Sequence, residues 1–281
     1  MSTVQQALEQ ARAAGLARLD AQLLLLHALG RPREDRAWLI AHDRDVLDSD
    51  TLMRYQALCQ RRADAVPLAY LVGRRSFYGL DLEVDARVLD PRPDTETLVD
   101  WALALPGLPG CARVMDLGTG SGAIALALKA QRPQWQVAAV DASAAALQVA
   151  RANALRLQLA VDLHQGDWLQ QFTEAARFDL ILANPPYLRA DDHHLAALRH
   201  EPREALAAGD DGLRDLRAII ASAAAHLQPG GWLLLEHGHD QADEVRALLQ
   251  AARYQQVQSR KDLGGIERCT GGRHAGVAAL Q

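Results

Sequence analysis

Aromatic side chains are scarce in this chain, at 5% of 281 residues, so its interior must be built from alanine, leucine and valine. Three cysteines, Cys59, Cys111 and Cys269, are odd in number and scattered. That excludes a disulfide framework and a thiolate metal site, and reads as reduced thiols in a cytoplasmic protein. No apolar run approaches the ~20 residues of a membrane-spanning helix, the longest lying around Leu23 to Leu26, so no membrane association is expected. The first residues lack a basic stretch followed by an apolar one, which argues against a secretory signal. Net charge is −5 and the isoelectric point is near 6.0, a balance unsuited to holding nucleic acid by neutralising many phosphates. His237 and His239 have no third ligand at a useful spacing, and His193-His194 stands in a polar stretch that reads as solvated, so no metal is expected.

What the chain does have is the balance of an ordinary globular protein, 49% hydrophobic and 23% charged residues, with length enough for one large domain and one small. Charge is uneven. Residues 1–75 hold 11 arginines against 9 acidic residues, while the remainder holds 19 basic against 26 acidic. A mildly basic N-terminal part is either a docking face or a solvated helical surface.

Residues 1–66 show helical patterns only. Ser2 and Gln5 have capping-box spacing ahead of a segment that stops at Gly15. Asp20 can cap a second helix, Ala21 to Leu29, before Gly30 and Pro32. A third contains Trp38, Leu39 and Ile40, and a fourth begins near Ser49-Asp50 with Leu52, Tyr55 and Cys59 on one face. Residues 67–92 change character: Leu80, Leu82 and Val84 alternate with Asp81, Glu83 and Asp85 after Phe77-Tyr78-Gly79, which predicts a β-hairpin connector.

From Pro93 to the end at 281, strands and helices alternate. Strands are expected at Arg113–Leu117, Gln136–Asp141, Val161–His164, Phe178–Ala183 and Trp232–Glu236, with two more near Gln255–Arg260 and Ala275–Leu280. Helices are expected at Thr95–Leu105, Ala123–Gln131, Ser143–Leu157, Leu213–Leu227 and Ala242–Ala252. Strands separated by helices of this length predict a doubly wound, mostly parallel α/β sheet, with ligands beyond the carboxyl ends of its strands.

The first strand runs into Asp116-Leu-Gly118-Thr119-Gly120-Ser121-Gly122. Glycines there permit a tight turn and leave main-chain N–H groups open to a ligand. The spacing is Gly-x-Gly-x-Gly, with Ala123 where a nicotinamide-binding turn has its third glycine, and Asp116 suits a positively charged amino-acid moiety better than a pyrophosphate. Asp141 ends the next strand, placed to accept both hydroxyls of a ribose or to cap the following helix. Asp167 and Trp168 follow the third strand, where the acid can accept from an adenine amino group and the indole can flank the ring or simply pack. In that order the three sites favour an adenosyl ligand, with Asn184 at its far end.

The most specific signal is Asn184-Pro185-Pro186-Tyr187, directly after the strand Phe178–Ala183. Two prolines cannot donate ladder hydrogen bonds and hold φ near −65°, so the elbow is stiff. It can aim the Asn184 side-chain oxygen and the Pro185 carbonyl at the two hydrogens of a planar NH2 group, with Tyr187 as a stacking face. Such a nitrogen shares its lone pair with a π-system and is a poor nucleophile. Two fixed acceptors draw charge toward it as it attacks an electrophilic methyl, without requiring a base or a metal. By itself the elbow fits adenine N6, cytosine N4 or an amide nitrogen.

Further segments narrow the choice: Pro67-Leu-Ala-Tyr-Leu-Val-Gly73, Phe77-Tyr-Gly79, Pro91-Arg-Pro-Asp-Thr-Glu96, Glu201-Pro202, Ala205-Leu206, Asp211-Gly212 and Glu236-His-Gly238. With the glycine loop and the elbow they resemble the HemK/PrmC family of release factor glutamine N5-methyltransferases over essentially the whole length. The resemblance implies a class I, Rossmann-like fold that uses S-adenosyl-L-methionine, and residues 1–66 that dock a peptide chain release factor. It also implies a Gly-Gly-Gln glutamine gripped by Asn184, Pro185, Pro186 and Tyr187. The acidic balance predicts no stable nucleic-acid partner, and a monomer is favoured. Asp90 and Asp94 depart from the family pattern beside the distinctive Pro91-Arg92-Pro93. The alternatives are an amino-methyltransferase of nucleic-acid adenine or cytosine, and a silent adenosyl-binding adaptor; the glycine spacing disfavours a nicotinamide oxidoreductase.

Overall fold

The computed structural model describes residues 2–173 and 175–275, and contacts divide the chain into two compact units, Met1–Arg74 and Arg75–Gln281. The first contains α1 (Val4–Ala13), α2 (Arg18–Ala28), α3 (Arg36–Ala41), α4 (Ser49–Ala63) and α5 (Leu68–Val72). Its core gathers Val4, Ala7 and Ala11 of α1 with the buried run Leu24, Leu25 and Leu26 of α2 and Tyr55 of α4. That inward stripe decides the helix starts. The capping box of α1 is Thr3 with Gln6, one residue later than Ser2 with Gln5, because Val4 must begin the buried face. Asp20 lies inside the first turn of α2 and pairs with Arg62 of α4 at 2.7 Å, and Asp48 caps α4 through the Thr51 N–H. Helix α5 falls within the stretch expected as a hairpin connector. Five residues are too few to display a helical period, and Gly73, at φ +70°, ends the helix in the left-handed region.

The second unit starts one residue into the hairpin β1 (Arg74–Phe77) and β2 (Leu80–Glu83), turned by Tyr78 and Gly79 at φ +48° and +76°. After a 3₁₀ turn at Pro93–Thr95 come α6 (Glu96–Ala104), β3 (Arg113–Leu117), α7 (Ala123–Gln131), β4 (Gln136–Asp141), α8 (Ala144–Leu157), β5 (Asp162–Gln165) and β6 (Phe178–Ala183). The chain continues through α9 (Arg214–His226), β7 (Leu227–Glu236), α10 (Ala242–Ala251), β8 (Gln255–Lys261) and β9 (Glu267–Arg273). Among the described residues the strands form a seven-stranded sheet in the order β5-β4-β3-β6-β7-β9-β8, parallel from β5 to β7, with β9 antiparallel to both of its neighbours. Val114, Met115 and Leu117 of β3 and Leu180 to Ala183 of β6 are buried, as a parallel sheet covered on both faces requires. The order reverses between β3 and β6, and a crevice opens there.

The strand expected near Ala275–Leu280 lies, from residue 276 onward, outside the described residues. The antiparallel strand Glu267–Arg273 is one that the sequence pattern did not predict. Its glycines hide it in the sequence, and packing explains them: a Cβ on Gly271 would stand 2.5 Å from Leu234 Cδ2 and 2.6 Å from the Leu233 carbonyl. Hairpin and sheet are joined through buried Asn153 of α8. Its side chain accepts from Glu83 N at 2.7 Å and donates to the carbonyls of Glu83 and Ser121 at 2.9 and 3.0 Å.

Candidate functional site

Two cavities open at the carboxyl ends of the parallel strands. The first, of about 220 Å³, is lined by Gly118 and Gly120 after β3, Asp141 at the end of β4, Asp167 and Trp168 after β5, and Asn184 after β6. The second, of about 890 Å³, is lined by Asn184, Tyr187, Arg92, Asp94 and Arg268 among others. Leu89, Asn184 and Ala205 line both, and Asn184 is the polar residue of the three.

The glycine loop works differently from its sequence reading. The N–H groups of Gly118 and Thr119 donate to the Val140 carbonyl at 2.8 and 3.0 Å, that of Gly122 to the Thr119 carbonyl, and that of Gly120 to Asp141 Oδ2 at 2.8 Å. Those donors are used inside the protein, so the glycines supply shape: Gly118, at φ +71°, lies close enough to the indole of Trp168 that a Cβ would come within 3.3 Å of it. Asp116 is not at the cavity wall. It is fully buried, and one oxygen accepts from the Thr119 hydroxyl at 2.6 Å and from Ala125 N at 3.2 Å, which ties the loop to α7. Burial pushes its carboxyl up to about 7. Thr119 and Ser121 are likewise buried, and with Gly122 they lie behind the wall rather than on it.

Asp141 does line the cavity. Its two oxygens accept from Gly120 N and Ser143 N at 2.8 Å each, so it braces the loop and the start of α8 while each oxygen keeps a free lone pair; burial raises its pKa. The helix cap that the sequence also allowed for it falls instead to Ser143, whose hydroxyl accepts from Ala146 N at 3.1 Å. Trp168 packs against the sheet core and also faces the cavity, in the left-handed region at φ +50°. Exposed Asp167 accepts from Gln170 at 2.7 Å. Acceptors at Asp141 and Asp167, with a ring at Trp168, match the diol, amino group and flat base of an adenosyl group, and the residues present fit it.

At the elbow, the ladder of β6 ends with Ala183 paired to Leu117 and Leu235, and the prolines stop further pairing. Asn184 Nδ2 donates to Thr95 Oγ1 at 3.1 Å, which leaves Oδ1 as the free end of the carboxamide. Among the described residues nothing donates to Oδ1 or to the Pro185 carbonyl, so both acceptors are unspent, although Pro185 is buried and, unlike Asn184 and Pro186, lines neither cavity. Tyr187 is half-buried, and burial and then the nearby Glu236 keep its phenol protonated well above the usual tyrosine range. The carbonyl of Tyr187 accepts from Gln241 Nε2 at 3.1 Å, and Gln241 Oε1 accepts from Gly238 N at 2.8 Å. Gly212 must be a glycine here, since at φ +72° its Cβ would stand 2.4 Å from the Tyr187 carbonyl. Gln241 carries no motif and is invisible to sequence reasoning.

The Pro91-Arg92-Pro93 segment is held from the other side. Arg92 donates to Glu201 at 2.5 Å, and Glu201, with 1% of its side chain exposed, also accepts from Asp90 N at 3.1 Å. Asp90, one of the departures from the family pattern, is buried with its carboxylate 3.3 Å from Arg75, so a cation takes the place of apolar packing. Asp94, the other, faces Arg268 at 3.6 Å. Of the histidines, His237 is buried with Nδ1 donating to the Gly238 carbonyl at 2.8 Å and Nε2 on the Thr270 hydroxyl at 2.7 Å, and burial lowers its pKa. Neither nitrogen is free for a metal. Among the described residues the one three-residue group with suitable ligand atoms is Asp192, His193 and His194, whose histidines are exposed.

Residues 2–73 match the model described as the PrmC N-terminal domain, and residues 102–261 the Methyltransferase small domain. A protein of Xylella fastidiosa named release factor glutamine methyltransferase is 49% identical over 262 residues, 92% of this chain and 94% of that protein. A Bordetella pertussis protein of the same name is 48% identical over 260 residues, 92% of this chain and 95% of its own length. Among solved structures, a methyltransferase from Pyrococcus furiosus aligns with a TM-score of 0.56 at 20% identity, covering 79% of this chain and 98% of that one, a likeness of fold.

Proposed function

This chain belongs to the release factor glutamine methyltransferase family, and we propose that it transfers the methyl group of S-adenosyl-L-methionine to N5 of the glutamine in the Gly-Gly-Gln motif of peptide chain release factors. The observation that carries the reading is Asn184 at the junction of the two cavities with its carboxamide oxygen and the Pro185 carbonyl both unspent. When bound in the smaller cavity, S-adenosylmethionine supplies an electrophilic methyl on a sulfonium.

Asp141 and Asp167 accept from the nucleoside, Trp168 flanks its base, and the glycine loop lets it approach closely. In the larger cavity, Asn184 Oδ1 and the Pro185 carbonyl each accept one hydrogen of the glutamine amide, and Tyr187 packs on its flat face. As positive charge grows on nitrogen during attack these bonds strengthen, which favours the transition state over the bound amide. Pro185 and Pro186 keep both acceptors fixed, so little reorganisation is needed when the bond forms. Residues 1–74, a compact unit of their own that matches the PrmC N-terminal domain, dock the release factor.

The test offers labelled S-adenosylmethionine with a full-length release factor and, in parallel, DNA and RNA. Label should appear on the factor's Gly-Gly-Gln glutamine; label confined to nucleic acid would replace this reading with that of a base amino-methyltransferase. Asn184→Ala should lower kcat by about 10²–10³ and leave cofactor affinity nearly unchanged.

A further inference from the structure

The end of β7 carries a carboxylate to which the chemistry above gives no task. Glu236 is fully buried, lines neither cavity, and among the described residues meets no donor at either oxygen with full hydrogen-bond geometry. A buried acid so poorly supported is costly, and such residues cluster where a site requires them. β6 and β7 pair in parallel up to Ala183 and Leu235, and the next residue on each is Asn184 and Glu236. Thr95, 4% exposed, links the two: its Oγ1 receives Asn184 Nδ2 at 3.1 Å, and its hydroxyl is the neighbour that most favours the charged form of Glu236.

We propose that Glu236 is a positioning residue that acts through the Thr95 hydroxyl to hold the Asn184 carboxamide with its oxygen, rather than its nitrogen, toward the methyl acceptor. The proposal rests on the function proposed above. A charged Glu236 can only accept, and the proton of the neighbouring Thr95 hydroxyl is the one that must turn toward it to complete a bond not yet made in this structure. Thr95 Oγ1 is then left only an acceptor's role toward Asn184, and the carboxamide must offer Thr95 its NH2 and the cavity its oxygen. A neutral Glu236 can instead donate to Thr95. The Thr95 proton is then free to turn to Asn184, the carboxamide can reverse, and an NH2 faces the NH2 of the substrate.

The other charged or titratable groups around Glu236 are Arg268, Asp94 and Arg92, together with Tyr187 and Cys269, whose own pKa values it raises. Burial, opposed by Thr95, Arg268 and Arg92, pushes Glu236 up to about 7. The orienting, charged form therefore exists above neutrality and is lost as pH falls through about 7.

The experiment uses the full-length enzyme with release factor as acceptor. It follows kcat against pH in the wild type and in Glu236→Gln, Thr95→Val, Thr95→Ser and the Glu236→Gln/Thr95→Val double variant, with cofactor affinity by calorimetry. Side-chain ¹⁵N spectra of Asn184 are recorded without substrate. The wild type should show an acid limb near neutrality, and Glu236→Gln should lose about ten- to a hundredfold in kcat together with that limb, at nearly unchanged KM and cofactor affinity. Thr95→Ser should keep wild-type behaviour, Thr95→Val should mimic Glu236→Gln, and the double variant should be no slower than the slower single. The Asn184 amide signals should titrate in the wild type and not in Glu236→Gln. Wild-type kcat in Glu236→Gln, multiplying losses in the double variant, or loss of cofactor binding alongside activity would each overturn the relay. If the wild type turns over no release factor, the functional reading fails, while the Asn184 spectra still decide the relay.

Discussion

Asp116 was expected to greet the charged end of a ligand, yet its carboxylate is spent on the Thr119 hydroxyl and the Ala125 N–H, with its second oxygen unpartnered in the interior. An acid two residues before a glycine turn looks the same in sequence whether it faces the cavity or the helix behind it; burial makes the difference. That burial has a consequence for stability. Folding raises the Asp116 carboxyl from 3.8 to about 7, so between those values the folded state binds the proton more tightly than the unfolded chain does. Its contribution to stability is therefore greatest below pH ~4, declines as pH rises through that window, and is level above it. Asp116→Asn keeps an acceptor for Thr119 and Ala125 and carries no such charge. In urea titrations at pH 5 and pH 8 it should gain on the wild type as pH rises, by a few kcal/mol in order of magnitude. An unchanged difference between the two would mean that Asp116 reaches water.

Among the elements, β9 most clearly separates pattern from packing. Glu267–Arg273 has neither an apolar alternation nor strong strand formers at Gly271 and Gly272, and nothing local marks it as a strand. It is a strand because β7 offers it a free edge and because Gly271 fits against Leu233, Leu234 and the Trp101 ring. Gly271→Ala should accordingly cost about 2 kcal/mol in denaturant unfolding, since two of the atoms it would meet are backbone or fully buried. Gly110→Ala, with nothing within 4 Å of its added Cβ, should be near neutral. Equal costs at the two would sink the packing account. By contrast, β4, β6 and α7 lie where their patterns place them, because buried parallel strands read as continuous apolar runs bounded by Gly, Asp or Asn.

For the whole molecule, the two units invite separation. The cofactor-side cavity is lined wholly by residues from Arg87 onward, and the fragment 75–281 holds its own core. Without residues 1–74 it should bind S-adenosylmethionine with nearly unchanged affinity and methylate release factor poorly, with the loss mainly in KM; an unchanged KM would remove the docking role. The chain's own pattern determined the α/β order, the glycine loop after the first core strand, and the Asn-Pro-Pro-Tyr elbow after β6. Period, glycine and proline act over a few residues, and their physics is local. Tertiary structure alone decided that the N–H groups of Gly118, Thr119 and Gly120 are spent on β4, that Gln241 braces Tyr187, that Glu201 secures Arg92, and that Thr95 takes the Asn184 amide. Each of those contacts joins residues far apart in the chain, and their strength comes from burial, which no short stretch of sequence contains.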